Sequence, residues 1–316
     1  MTDNVTQTAA MAPQTLFIPT PANGNNAPAG FPKLDLLDFN VATTPMFIAN
    51  PNMPNMAVAV PPHIANAIIR ADTGKVLATC KGQHINVQHQ TLHEHVKKAL
   101  TSVLPASYLN NVLLTESESG DSSFVKMIYR TPDLKGIILQ SNGKKTEMDL
   151  QISVVNAPGS RAVTVIQTGF DHSCENHVPY TSEKFAMQHT EGMDLGLMEA
   201  HIRKVVHDFP AHLRMIQGYA LKEITSADFK RILHHNSHIS TTAGENILCQ
   251  FAIEAKNRGS NLYAGLSALA AWSTHNDGNF YVRNSANSDN EARSLFARQE
   301  KVMKLIGSNA FQEVAA

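Results

Sequence analysis

Met148-Asp149-Leu150-Gln151-Ile152-Ser153-Val154-Val155, Asn156-Ala157-Pro158-Gly159-Ser160 and Ala162-Val163-Thr164-Val165-Ile166-Gln167 are the stretch on which the fold turns. Leu150, Ile152 and Val154 fall at every second position, as do Val163 and Val165. That is the period of a strand with one face toward a core. Between the two runs, a proline in an i+1-like place followed by a glycine has the chemistry of a turn. The stretch predicts an antiparallel hairpin.

The pattern continues on the N-terminal side. Phe124–Tyr129 and Gly136–Leu139 predict two more strands, parted by Thr131-Pro132-Asp133. Further back, Ala67–Arg70 and Val76–Cys80 flank Asp72-Thr73-Gly74-Lys75, a hairpin signal because glycine accepts positive φ. His84–Val87 predicts a short strand, and Leu92, Val96, Ala99, Leu100 and Val103 predict a helix stopped by Pro105. On the C-terminal side the period changes to 3.6. Met193–Val206, Ser226–Leu233, Ile247–Lys256 and Asn261–Trp272 predict helices, the third opened by a Thr242-Ala243-Gly244-Glu245 capping box. Asp289 is placed to cap a last helix ending at Gly307.

The expected fold class is α+β: an antiparallel β-meander with one helix in the N-terminal half, and a helical C-terminal half. One domain is expected over 62–312, β-rich over 62–180 and helical over 181–312. Residues 1–32, rich in Ala, Asn, Pro, Thr and Gln, bury too little to offset their ordering entropy and predict a disordered arm. Residues 33–61 predict an extended segment that packs on the domain without joining its core.

Composition narrows the function classes. The formal net charge of −1 gives no global field toward DNA or anionic lipid, so any basic face must be local. Cys80, Cys174 and Cys249 are odd in number and far apart, which fits reduced thiols and a cytoplasmic location better than a secreted disulfide framework. No leader peptide is expected, and no run approaches the ~20 apolar residues of a membrane span, so no membrane partner is expected.

Histidine is conspicuous, with 15 in the chain. His89 and His93 are four apart and could share a metal from one helix face; the alternative is a polar face with imidazoles in water. Asp171-His172-Ser173-Cys174-Glu175-Asn176-His177 is denser, with His172, Cys174 and His177 as the zinc candidates and Cys80, His189 or His201 as a further ligand. The alternative there is a strand-end turn with Cys174 as a small buried hydrophobe. His234-His235-Asn236-Ser237-His238 reads as a helix C-terminus favoured by the dipole. No catalytic nucleophile motif and no nucleotide-binding glycine loop occurs, and no cofactor beyond zinc is expected.

For nucleic acid, the candidates are Lys126, Arg130, Lys135, Lys144 and Lys145 on the meander, with Arg283, Arg293, Arg298, Lys301 and Lys304 toward the C-terminus. Tyr129, Phe170, Tyr180 and Tyr281 could supply stacking surfaces. The alternative is a solvated sheet edge guarded by lysine.

Two blocks carry a family resemblance. Ile68 to Leu77, with Arg70, Asp72 and Gly74, followed by His84 to His89, resembles the opening of the phage/plasmid-like family called domain of unknown function 932. Ile152 to Asn156, Gly159-Ser160, Gly169-Phe170 and Cys174-Glu175-Asn176 are similar to its second block, and His189 stands where a histidine opens the family's helical half. The resemblance covers about 60–312 and implies a phage or plasmid source without implying a reaction. The expected function is therefore a phage- or plasmid-encoded accessory protein that handles nucleic acid without hydrolysing it, as an annealing, recombination or replication partner. A metal-dependent nucleic-acid enzyme and an interaction factor in the infected cell stand as alternatives, with homo-oligomers and phage or host proteins as further partners.

Overall fold

The first strand, β1 (Val41–Pro45), is followed by the hairpin of β2 (Phe47–Asn50) and β3 (Met53–Ala59) and then by that of β4 (Asn66–Arg70) and β5 (Val76–Cys80). The description comes from a computed structural model and covers residues 30–50, 52–82, 84–158, 162–234, 239–275 and 291–316. Nearly all of the expected disordered arm, together with Gly159, Ser160, Asp289 and the histidines at 235 and 238, lies outside the described residues.

β1, β4 and β5 form one antiparallel sheet, and among the described residues β2 pairs with β3 alone. The Asp72–Lys75 turn has Gly74 at φ +69, as its sequence requires. The segment 33–61 departs from expectation. Leu34, Leu37, Phe39 and Val41 are buried in the main core, since β1 is bound into the sheet through β4. His84–Val87 also departs, reduced to a single bridge between His84 and Thr190. Helices α1 (His89–Thr101) and α2 (Ala106–Leu109) follow.

The main sheet holds β6 (Leu113–Glu118), β7 (Val125–Leu139), β8 (Lys145–Asn156) and β9 (Ala162–Asp171), with β10 (Asn176–Val178) and β11 (Phe185–Gln188) both paired to β9. All pairings are antiparallel. The two strands expected on either side of Thr131-Pro132-Asp133 are one, β7, with a bulge where the register jumps from Thr131 to Lys135. Proline lacks an amide to donate to a ladder and is tolerated at such a bulge.

The helical half comprises α3 (Leu195–Leu221), α4 (Ser226–His234), α5 (Thr241–Arg258), α6 (Leu262–Thr274), α7 (Glu291–Ile306) and α8 (Asn309–Ala315). The helix expected to end at Val206 runs on through Pro210, because Phe209, Leu213, Ile216 and Ala220 are all buried on its inner side. The cap of α5 is Ser240, whose hydroxyl accepts from the Ala243 amide, rather than Thr242. Asn261 caps α6 in the same way.

Leu150, Ile152, Val154, Val163 and Val165 are fully buried and join one core with residues of α1, α3 and α6. β8 is buried on its other face as well. There Val155 meets Phe124, Ile166 and the α7 residues Phe296 and Met303 in a smaller cluster, while Asp149, Gln151 and Ser153 are buried polar groups. The main sheet thus has helices on both faces, and its second face is polar along much of its length. Among the described residues no helix is long and apolar enough to cross a membrane.

Candidate anion site on the second sheet face

The pleat and register place the site. Lys126 and Arg130 alternate with the core residues Met127 and Tyr129 on β7, so both project to the second face. Asp149 on β8 is opposite Phe170 on β9, and Phe170 is opposite His177 on β10, which brings these three onto the same face.

Lys126 is 7% exposed. Among the described residues its amine has neither hydrogen bond nor ion pair. Burial lowers its pKa to about 8, since an ammonium removed from water loses hydration that nothing replaces. The side chain lines a cavity of about 300 Å3 together with Ser117, Glu118, His177, Thr274 and Glu291. Glu118 is itself engaged by Arg70 at 3.4 Å.

Burial lowers the pKa of His177 to about 3, helped by the positive charges of Lys126, His275 and Arg130. The imidazole is therefore neutral at pH 7, with one N–H to donate. Its backbone amide donates to the Thr274 hydroxyl at 2.9 Å, tying β10 to the end of α6. Beside it, the Arg130 guanidinium lies 4.2 Å over the Phe170 ring, with its Nε 3.7 Å from Asp149 Oδ2. The fully buried Asp149 also holds His172, Nε2 to Oδ2 at 2.8 Å. Burial raises the Asp149 pKa, with His172 and Arg130 opposing the rise. Lys126 and Arg130 are thus the cations of this face, with Asp149 beside Arg130 and with Glu118 and Glu291 in the wall of the Lys126 cavity.

The expected basic strip does not form a single surface. Lys126 is buried, Lys135 is paired with Glu147 at 2.7 Å, and Arg293 reaches Asp121 at 3.8 Å and the Ser123 hydroxyl at 2.6 Å. Lys144 and Lys145 sit at the β7–β8 turn beside a different cavity. Arg283 and Tyr281 lie outside the described residues. Tyr129 and Tyr180 are core residues and offer no stacking surface, whereas Phe170 does stand in the site.

The expected zinc ligands are not gathered either. His172 is spent on Asp149, Cys174 lies against Arg258 at 3.2 Å, and His177 faces the Lys126 cavity. Among the described residues no group of three His, Cys, Asp or Glu side chains could hold a metal. The ligand-rich turn instead serves an ion cluster. Arg258 binds Asp171 at 3.0 Å and Glu254 at 2.7 Å, and the Tyr263 hydroxyl donates to Asp171 at 2.7 Å. Burial pushes the Cys174 thiol up to about 11, so it is a poor thiolate.

The other histidines singled out are engaged elsewhere. His89 is fully buried, and His93 is buried with its Nδ1 2.9 Å from the Tyr129 hydroxyl. His95 is bound to Glu199 at 2.6 Å, and His201 stacks on Phe185. Of the residues that carried the family resemblance, Arg70 covers the Phe39 ring and pairs with Asp72. Asn176 donates to the Ser267 carbonyl and meets His275 Nε2 at 2.8 Å, and His189 packs against His84.

The sequence reading missed the link between Asp149 and His172 and the burial of Lys126. The signal was the polar alternation Asp149, Gln151, Ser153, which fits a solvated face equally well. In comparisons with family models, with curated proteins and with solved structures, nothing matches the chain.

Proposed function

We propose that the protein binds a nucleic-acid strand through a phosphate at the Lys126 cavity, as a phage- or plasmid-encoded accessory factor of the bacterial cytoplasm that does not hydrolyse the strand. Kinship with domain of unknown function 932 belongs to the same proposal and rests on the residues quoted for it.

The observation that carries this reading is the unpaired, buried ammonium of Lys126 beside a cavity. A buried charge without a partner is strongly unfavourable, and a phosphate supplies both the countercharge and the acceptors. Neutral His177, in the same wall, adds an N–H donor; Arg130 stands outside the cavity over the Phe170 ring, and of the two glutamates in the wall Glu118 is engaged by Arg70. A cavity of about 300 Å3 is at the small end for ligand sites, so it suits one nucleotide of a single strand better than a duplex groove. Fluorescence anisotropy of a labelled single-stranded oligonucleotide at low salt provides the test. Binding is expected, weakening as salt is added with a log–log slope of roughly −0.7 for each phosphate contacted. Failure to bind single- or double-stranded DNA or RNA at low salt overturns the proposal.

A second reading, a self-associating interaction factor, has one observation in its favour. The β2–β3 hairpin exposes Phe47 at 64%, Ile48 at 62% and Val58 at 56%. No Asp, Glu, Lys or Arg occurs between Asp38 and Arg70. Uncharged, apolar edge strands are prone to pair with another chain. Sedimentation of the wild type and of a Phe47→Asp, Val58→Asp variant is expected to show a smaller species for the variant. A wild type that is monomeric at every concentration removes this reading.

A further inference from the structure

Lys126 carries a second chemistry besides holding an anion. As an ammonium it can only donate; once it gives up a proton, its nitrogen has a lone pair and is a nucleophile toward carbonyl carbon. The structure keeps that nitrogen reachable. Lys126 is 7% exposed, yet its Nζ, unlike the sealed polar atoms of the interior, keeps open surface in the cavity that the side chain lines. Among the described residues no carboxylate holds it: Glu118, in the same wall, is taken by Arg70 at 3.4 Å, and Glu291 makes no ion pair with the amine. Burial brings its pKa down to about 8, so a sizeable fraction is free base near neutral pH, which is how lysines are activated for imine chemistry.

The wall suits a carbonyl compound. The His177 ring is near enough for its own titration to feel the Lys126 charge. The His177 amide donates to Thr274 Oγ1 at 2.9 Å, and among the described residues that hydroxyl donates to nothing. An imidazole N–H and an O–H are therefore left to hold a carbonyl oxygen. Glu118, Glu291 and Ser117 offer acceptors to hydroxyl groups, while Ile128 and Leu295 give the cavity an apolar side. With about 300 Å3 of space, these are the fittings for a short polyhydroxy chain.

We propose that Lys126 captures the aldehyde of a short open-chain sugar, such as 2-deoxyribose, as an imine. The Lys126 nitrogen bonds to the carbonyl carbon while the C=O π pair moves onto oxygen, which takes up a proton. The carbinolamine then loses that oxygen as water, both N–H hydrogens of the amine leaving with it, and C=N remains. No oxidant or reductant takes part. One aldehyde has two sources: free sugar, or a strand residue that has lost its base and opened. Only the second source rests on the strand-binding reading.

Trapping of the intact protein with 2-deoxyribose and cyanoborohydride at pH 8, followed by peptide mass mapping, tests the proposal. The reductant converts the imine to a stable secondary amine and so marks the lysine that formed it. Lys126 is expected to gain the adduct about tenfold or more faster than the exposed Lys144 and Lys145, because roughly half of an amine of pKa 8 is free base at that pH against under about 1% of a lysine in water. Lys126→Met is expected to lose the fast adduct and remain folded, and Lys144→Ala to keep it. Trapping at Lys126 of a strand with one abasic residue, and not of the same strand intact, would assign the natural source to the strand; trapping of the free sugar alone assigns it to free sugar. Sugar trapping without strand binding removes the strand reading and leaves this one standing. The absence of a fast adduct at Lys126 from either source overturns the proposal, even where the strand binds.

Discussion

Replacing Lys126 with methionine is expected to make the protein more stable and to abolish its salt-sensitive strand binding. The amine titrates at about 8 in the fold against an ordinary 10.5, because burial disfavours its charge. At about 1.4 kcal/mol per pH unit of that gap, the buried ammonium destabilises the native state by about 3 kcal/mol below pH 8. Methionine has nearly the same length and no charge, so the variant should melt higher by roughly 5 °C at pH 7. The sign fixes the pH profile. A lysine whose folded pKa is depressed is unfavourable where both states are protonated, and the penalty lifts as pH rises from 8 toward 10.5. The advantage of Lys126→Met should therefore shrink over that window. Thermal melts at pH 7 and pH 10, beside anisotropy at low salt, read both effects. A variant that melts below the wild type means that the amine has a partner within the fold; unchanged strand binding means that the Lys126 cavity is not the site.

Such a gain in stability with loss of binding separates a site from an ordinary core position. A core lysine kept for packing could be replaced without a change in binding. A lysine kept for a ligand carries its cost in the empty state and regains it when the anion arrives.

How far the sequence could be read follows from where its signals originate. The alternation of Leu150, Ile152 and Val154 belongs to the strand itself, so the hairpin and its core face were legible. The opposite face was not, because Asp149, Gln151 and Ser153 would look the same in water; α7 packs on Val155 of that face and the end of α6 is tied to His177, and both are distant in sequence. Pro132 imitates a turn, and only the partner strand, which runs past it from Leu150 to Asp149, reveals a bulge. Pro210 imitates a helix end, yet burial of Leu213 and Ile216 outweighs the hydrogen bond it forfeits. Among site residues, Lys126, Arg130, His172 and His177 were all singled out, but for two different chemistries. That they share one sheet face depends on strand register, which composition does not encode.

The histidines supply the other large expected effect, an acid transition between pH 6.5 and 4. His89 is fully buried, its ring edge-on to Phe39 at 4.8 Å, with Asn156 at its Nδ1 and no partner at Nε2. His189 is 4% exposed, faces His84 at 5.3 Å, and has no hydrogen-bond partner at either ring nitrogen among the described residues. Both titrate at about 4, His89 through burial with the charges of Arg70 and His189, and His189 through burial with His84. Above pH 6.5 both are neutral whether folded or unfolded, and they contribute no pH dependence. Below it the unfolded chain takes up protons that the folded chain refuses, so stability falls until the folded values are reached. Each histidine has a gap of about 2.5 pH units, worth about 3 kcal/mol, and the pair together approaches the 5–15 kcal/mol by which domains are ordinarily stable. The urea midpoint should hold steady from pH 8 to pH 7 and collapse by pH 5. His189→Leu, which removes one titrating ring from an apolar setting, should recover about half of the loss at pH 5. A wild-type midpoint that is the same at pH 5 and pH 7 would mean that these rings can protonate in place, and that the interior around them is open to water.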